Sequence, residues 1–147
     1  MDPDVDLHDP AEQVELKPSP IPVLAAISAG GVIGALTRYG LTVAWPHDPT
    51  GFSWAIWTIN VSGCFLIGVL MVLIARRWPD RRLIRPFFGV GILGGYTTFS
   101  TSVVDVQQAA AHGAARVALL YLGATIVGSL LAVWAGSALT AAAVRPE

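Results

Sequence analysis

The chain has 147 residues, of which 54% are hydrophobic and only 13% charged, with a formal net charge of −1 and a mean hydropathy of +0.61. These values exclude an ordinary soluble domain of this size and describe a small polytopic membrane protein, for which no nucleic-acid partner is expected. The single cysteine, Cys64, excludes an intrachain disulfide.

The first twenty residues, MDPDVDLHDPAEQVELKPSP, carry six acids and four prolines. They read as a disordered acidic tail, 1–20, ahead of a four-helix transmembrane domain, 21–147. The tail lacks the basic start and short apolar core of a secretory signal, so the first helix is expected to stay in the mature protein. His8 within it reads as solvated. Beyond it, four stretches are free of Asp, Glu, Lys and Arg: 18–37, 49–75, 86–104 and 117–144. Each approaches or exceeds the roughly 18 to 20 residues that cross a hydrocarbon core of about 30 Å. Four transmembrane helices are predicted, at about 22–44, 53–75, 84–106 and 115–143. Four helices fill their own interior with side chains, so a dimer is the easier way to build a pathway.

Helix one contains AGGVIGALTRYG. Gly30 and Gly34 lie four apart, and Gly31, Ala35 and Gly40 extend the small-residue surface, which lets two helices approach closely in lipid. Arg38 near the helix end either snorkels or draws anions towards a pore mouth. Helix two contains WTINVSGCFLIG. Asn60 sits inside the apolar run, where an amide serves either as interhelical glue or as a donor to an ion; Cys64 reads as a small buried hydrophobe.

Helix three carries GILGGYTTFSTS, Gly91 to Ser102. Gly89, Gly91, Gly94 and Gly95 weaken a helix, and Thr97, Thr98, Ser100, Thr101 and Ser102 supply hydroxyls able to cap freed backbone. The run therefore marks either a break at the centre of the helix or a small-residue packing face. A break in hydrocarbon is tolerated only where protein or a wet cavity satisfies the backbone, and freed carbonyls suit a hard cation while exposed amides suit an anion. Helix four carries Tyr121, Thr125 and Ser129 at i, i+4 and i+8, one face of hydroxyls that forms a shared polar path unless each bonds back to its own helix.

Lys17, Arg76, Arg77, Arg81, Arg82, Arg85 and Arg145 fall on the side of the termini, whereas Arg116, with Arg38 near a helix end, falls on the other. Both termini are therefore expected in the cytoplasm. No enzyme constellation is present: His8, His47 and His112 fall in the tail or loops and read as solvated, and phosphate-loop and metal-spacing motifs are missing. A proton-coupled four-helix exporter would need a buried carboxylate. The only acid near an apolar segment is Asp105.

The combination of GGVIGALTRYG, of N-x-x-G-x-F-x-x-G from Asn60 to Gly68, and of GGYTTFST resembles the small fluoride channels of the Fluc/CrcB type, over roughly residues 22–143. The resemblance implies an all-α membrane protein with a broken third helix, assembled as an antiparallel dimer. It implies passive, fluoride-specific conduction that lowers cytoplasmic fluoride, and a structural Na+ held at the dimer centre by the carbonyls of Gly94 and Thr97. It places Asn60, Phe99, Tyr121, Thr125 and Ser129 on the fluoride pathway and matches Arg38 to the family's helix-one arginine. Two positions depart from the family pattern: Ser102 stands where a second phenylalanine is usual, and Asp105 where a glutamate is usual, suiting either chain-end capping or a pore mouth. The charge bias, uneven for a chain that must insert both ways, points with Ser102 to a chain that is one half of an antiparallel heterodimer with a paralogous chain, or one of whose two pathways is inactive; Ser102 also keeps open a non-conducting subunit of such a heterodimer.

Overall fold

The computed structural model describes residues 20–144. The acidic tail with His8 and Lys17, and Arg145 at the other end, lie outside the described residues. The chain is all-helical: α1 (Ile21–Ala44), α2 (Trp54–Arg77), α3 (Arg85–Leu93, continued by the turn Gly94–Tyr96), α4 (Ser100–Ala111) and α5 (Ala115–Ala143). With α3 and α4 taken as one span, Arg85–Ala111, four spans of 24 to 29 residues are long and apolar enough to cross a membrane.

Local chemistry explains the element ends. Pro22 and Pro86 sit in the first turns of α1 and α3, where a missing N–H costs nothing. Arg76 and Arg77 close α2 at its negative dipole end. Gly113 turns the chain from α4 into α5 at φ 81°, a conformation that glycine adopts without strain. The third span runs on to Ala111, beyond the expected limit near residue 106. Hydropathy marks where apolar character fades, but Ala109, Ala110 and Ala111 are strong helix formers and carry the helix to the glycine.

Two helix pairs make up the fold. α1 packs on α3 through glycines: a Cβ on Gly30 would overlap the Phe87 carbonyl, one on Gly34 the Ile92 carbonyl, and one on Gly91 would lie 2.9 Å from Gly30 Cα. Gly31 and Ala35 join the seam through their backbone, since a Cβ on Gly95 would overlap the Gly31 carbonyl and come 3.2 Å from Ala35 N, whereas Gly40 has open space beside it. α3 is wound as a π-helix, with the Gly94 N–H reaching back to the carbonyls of Gly89 and Gly91. The second pair is α2 with α5. A Cβ on Gly68 would meet the Val133 carbonyl and one on Gly136 the Phe65 carbonyl, while Trp57 Nε1 donates to the Ala124 carbonyl at 3.1 Å. Arg76 donates to the carbonyls of Ala141 (2.6 Å) and Val144, tying the end of α2 to the last turn of α5.

The buried core, with Ala55, Ile56, Ile59, Ala109, Ala118 and Tyr121, lies where the first half of α2, the end of α4 and the start of α5 meet. That is the end of the bundle opposite the termini. Only 11% to 22% of the central window of each span is buried within the chain. Most of the apolar surface therefore faces lipid or another chain, as expected where the bilayer is the solvent.

Candidate functional site

Helical geometry pauses at Thr97–Phe99, between the Gly94–Tyr96 turn and α4, with Thr97 extended at ψ 157°. The side chains around the pause explain how the backbone tolerates it in an apolar setting. Asn60 reaches across from α2 and behaves as a surrogate peptide: its Oδ1 accepts the Thr98 N–H at 2.8 Å, and its Nδ2 donates to the Thr98 carbonyl at 2.8 Å and to Ser102 Oγ at 2.9 Å. Ser102 passes its own hydrogen to the Thr98 carbonyl at 3.2 Å. Thr98 Oγ1 then accepts the Thr101 N–H at 3.2 Å and starts α4. Asn60, Thr98 and Ser102 are all buried. The amide thus acts as interhelical glue with both of its hydrogens engaged.

This arrangement diverts two N–H groups from their helical acceptors. The Thr98 N–H, which would return to Gly94, goes to Asn60, and the Thr101 N–H, which would return to Thr97, goes to the Thr98 hydroxyl. The carbonyls of Gly94 and Thr97 receive no backbone hydrogen bond among the described residues. They are neutral, hard oxygen donors. Both residues line the same two adjoining cavities, of about 550 and 190 Å³, with Cys64 between them.

The larger cavity gathers candidates from three helices: Asn60, Phe99, Ser102, Tyr121, Thr125 and Ser129 all line it. Their states differ. Phe99 is 76% exposed, so its ring faces outward from the chain. Thr125 Oγ1 bonds back to the Tyr121 carbonyl at 2.8 Å, the local pairing that hydroxyls adopt on apolar helices. The Tyr121 hydroxyl is buried and has no hydrogen-bond partner among the described residues, although Ser53, Ser102 and Thr125 stand around it. The cavity can therefore offer hydroxyl hydrogens and aromatic edge to a small anion while most of its wall stays apolar.

Arg38 is not brought to this cavity. α1 packs against α3, and the half-exposed guanidinium has no hydrogen bond or ion pair among the described residues. Thr98, one of the hydroxyls expected to cap freed backbone, does so for the Thr101 N–H and is also the hub of the Asn60 network. Two residues enter the site without having been singled out as part of it in the sequence: Ser53, buried just before α2, and His47, whose Nε2 lies 3.9 Å from Asp105 Oδ1 rather than standing free in solvent. Of these only Ser53 had a local signal, a serine immediately ahead of an apolar helical run.

Comparison with known proteins fits this geometry. Residues 25–137 match the family described as CrcB-like protein, Camphor Resistance (CrcB). The chain is 45% identical over 125 residues to a protein of Streptomyces avermitilis named Fluoride-specific ion channel FluC 2, covering 85% of this chain and 79% of that one. It is 49% identical over 120 residues to FluC 2 of Thermobifida fusca, covering 82% and 89%. It is 39% identical over 117 residues to FluC 3 of S. avermitilis, covering 80% and 57%. Four membrane-length helices, a largely apolar cavity edged by hydroxyls and a family match over most of those helices lead to one assignment: the chain is a multi-pass membrane protein that belongs to the CrcB-like family.

Proposed function

We propose that the protein is a fluoride-specific channel, not an enzyme, that lets fluoride leave the cytoplasm down its electrochemical gradient. The observation that carries this reading is the large cavity, where Phe99, Ser102, Tyr121, Thr125 and Ser129 surround a mostly apolar space. A small anion sheds water only if donors replace it, and it leaves again only if each site is weak. The partnerless Tyr121 hydroxyl supplies one donor and the Phe99 ring edge another. Asn60 contributes in two ways: it holds the Thr98 segment in place, and it reaches the ion when one of its amide hydrogens leaves Ser102. Arg38 is assigned to anion attraction near the pathway mouth.

The working unit in this reading is an antiparallel dimer, with the pause at Thr97–Phe99 as the functional break of the third helix. The outward Phe99 and the sparsely buried spans leave apolar surface on which a second chain could pack. A structural Na+ at the centre of the dimer suits the carbonyls of Gly94 and Thr97, which receive no backbone hydrogen bond among the described residues and carry no charge. When bound, the ion would supply a fixed positive charge that ties the two chains together. With both termini in the cytoplasm, the lopsided arginine count favours pairing with an oppositely oriented paralogue. The two S. avermitilis relatives, named FluC 2 and FluC 3, are consistent with more than one such chain in a single organism.

Fluoride efflux from liposomes, followed with a fluoride electrode, tests the reading. Flux is expected without a proton gradient and is expected to be lost on Phe99→Ile. Transport that needs a proton gradient would assign an exporter instead, and efflux that appears only with a co-expressed paralogue would establish the heterodimer.

A further inference from the structure

Among the described residues, three buried side-chain oxygens lack a hydrogen-bond partner: Ser53 Oγ, Tyr121 Oη and Asp105 Oδ2. They come from three separate elements, the approach to α2, α5 and α4. Ser53 is 1% exposed and Tyr121 2%, so both hydroxyls are shielded from bulk solvent. Ser53 stands within side-chain reach of the Tyr121 hydroxyl and Asp105 within its electrostatic reach, so the three groups gather near Tyr121, which lines the large cavity. Buried polar groups are normally paired, and three orphans in one place mark a site rather than an accident of packing.

The other oxygen of Asp105 faces His47 at 3.9 Å, with the two side chains 11% and 24% exposed. We propose that His47 and Asp105 form a proton-operated control on anion access to the cavity beside Tyr121. The proposal rests on the fluoride-channel reading above. With His47 neutral, an uncompensated carboxylate lies within electrostatic reach of Tyr121 and repels an anion that approaches the Tyr121 hydroxyl. With His47 protonated, the carboxylate is neutralised and drawn towards the imidazolium. The Tyr121 hydroxyl is then free to donate to fluoride.

Other charged groups lie nearby. Asp48, next to His47 and fully exposed, is held ionised by hydrogen bonds from the Thr50 hydroxyl and N–H, which lower its carboxyl below the usual range. His47 and His112, the latter from the α4–α5 turn, both lie within its electrostatic reach. Tyr121 is the titratable group that α5 presents to Asp105, and Arg116 in the first turn of α5 forms no ion pair with Asp105 among the described residues.

The test uses proteoliposomes of the full chain, alone or with an oppositely oriented relative if the chain alone is silent. Both faces are buffered alike, at about pH 8 or about pH 5.5, the span over which imidazoles change charge. Leak of HF is subtracted using protein-free vesicles of the same lipid. Wild-type fluoride flux is expected to rise on the order of threefold to tenfold on acidification. His47→Gln should stay at the low level at both pH values, and Asp105→Asn at the high level. A His47→Gln protein that keeps the wild-type response overturns the proposal, even if Asp105→Asn fails to fold, because His47 lies on a loop. Wild-type flux that is present but equal at both pH values overturns this control alone, whereas no flux at either pH overturns the channel reading and the control together.

Discussion

The α1–α3 contact and the α2–α4–α5 junction lie in the same bundle and are built on opposite terms. In the first, backbone meets backbone: Gly30 and Gly34 lie against Phe87, Ile92 and Gly91 with no room for a methyl group. In the second, side chains bridge gaps that the backbone leaves open, and some oxygens remain unpaired. In lipid no hydrophobic force drives helices together, so close packing does the holding. The glycine seam is thus spent on stability, while the polar junction keeps unused hydrogen-bonding capacity, which is what an ion pathway needs.

The comparison breaks most visibly at Gly34. A leucine there would drive its Cβ into the Ile92 carbonyl and towards the Tyr96 N–H, both main-chain groups that cannot swing aside. We expect Gly34→Leu to cost on the order of 4 kcal/mol, read as loss of a monodisperse peak and of the thermal transition in detergent. Gly40→Ala, which meets nothing within 4 Å in the chain, should fold normally; a comparable loss there would show that the seam is not special. Asn60→Leu comes next. It removes three hydrogen bonds and strands the buried Thr98 N–H, an expected cost of about 2 to 4 kcal/mol. Its thermal transition should fall below that of Ser102→Ala, and fluoride flux should vanish.

The two regions were unequally legible in the sequence. The four spans could be read because charge-free runs of that length have few other uses, and the seam was foreshadowed by the spacing of Gly30 and Gly34. The winding of α3 as a π-helix left no such trace, since Gly89, Gly91, Gly94 and Gly95 permit several backbones and contact with α1 decides among them. At the polar junction the residues stood out but their states did not. Asn60 was open between glue and ion contact, and its partners lie 38 and 42 positions away. His47 looked like an ordinary loop histidine until the fold set it beside Asp105. Pattern reads what a helix does alone, whereas these pairings come from how α2, α4 and α5 meet.

Ser102→Ala sharpens the comparison within the polar junction. The serine accepts one Asn60 hydrogen and donates to the Thr98 carbonyl, which keeps its bond from Asn60. Stability should fall by about 1 kcal/mol, seen as a small drop in the thermal midpoint. Fluoride flux should hold or rise, because an amide hydrogen is released towards the cavity; a fall in flux would mean that the Ser102 hydroxyl itself contacts the ion.

Tyr121→Phe carries the smallest energetic effect and separates the two kinds of region most cleanly. A hydroxyl with a partner stabilises the fold, whereas one buried without a partner has surrendered its hydration for nothing in the resting chain. Deleting it leaves the ring free to keep its edge-on contact with Phe52, 5.0 Å between centroids, and opens no large cavity. The thermal midpoint should stay level or rise, by up to about 1 kcal/mol of stability. Flux should drop all the same, because a donor on the pathway has gone. A variant at once more stable and less conductive would show that the missing partner of Tyr121 is the ion; a variant less stable and equally conductive would place the hydroxyl with the glycine seam, as part of what holds the helices together.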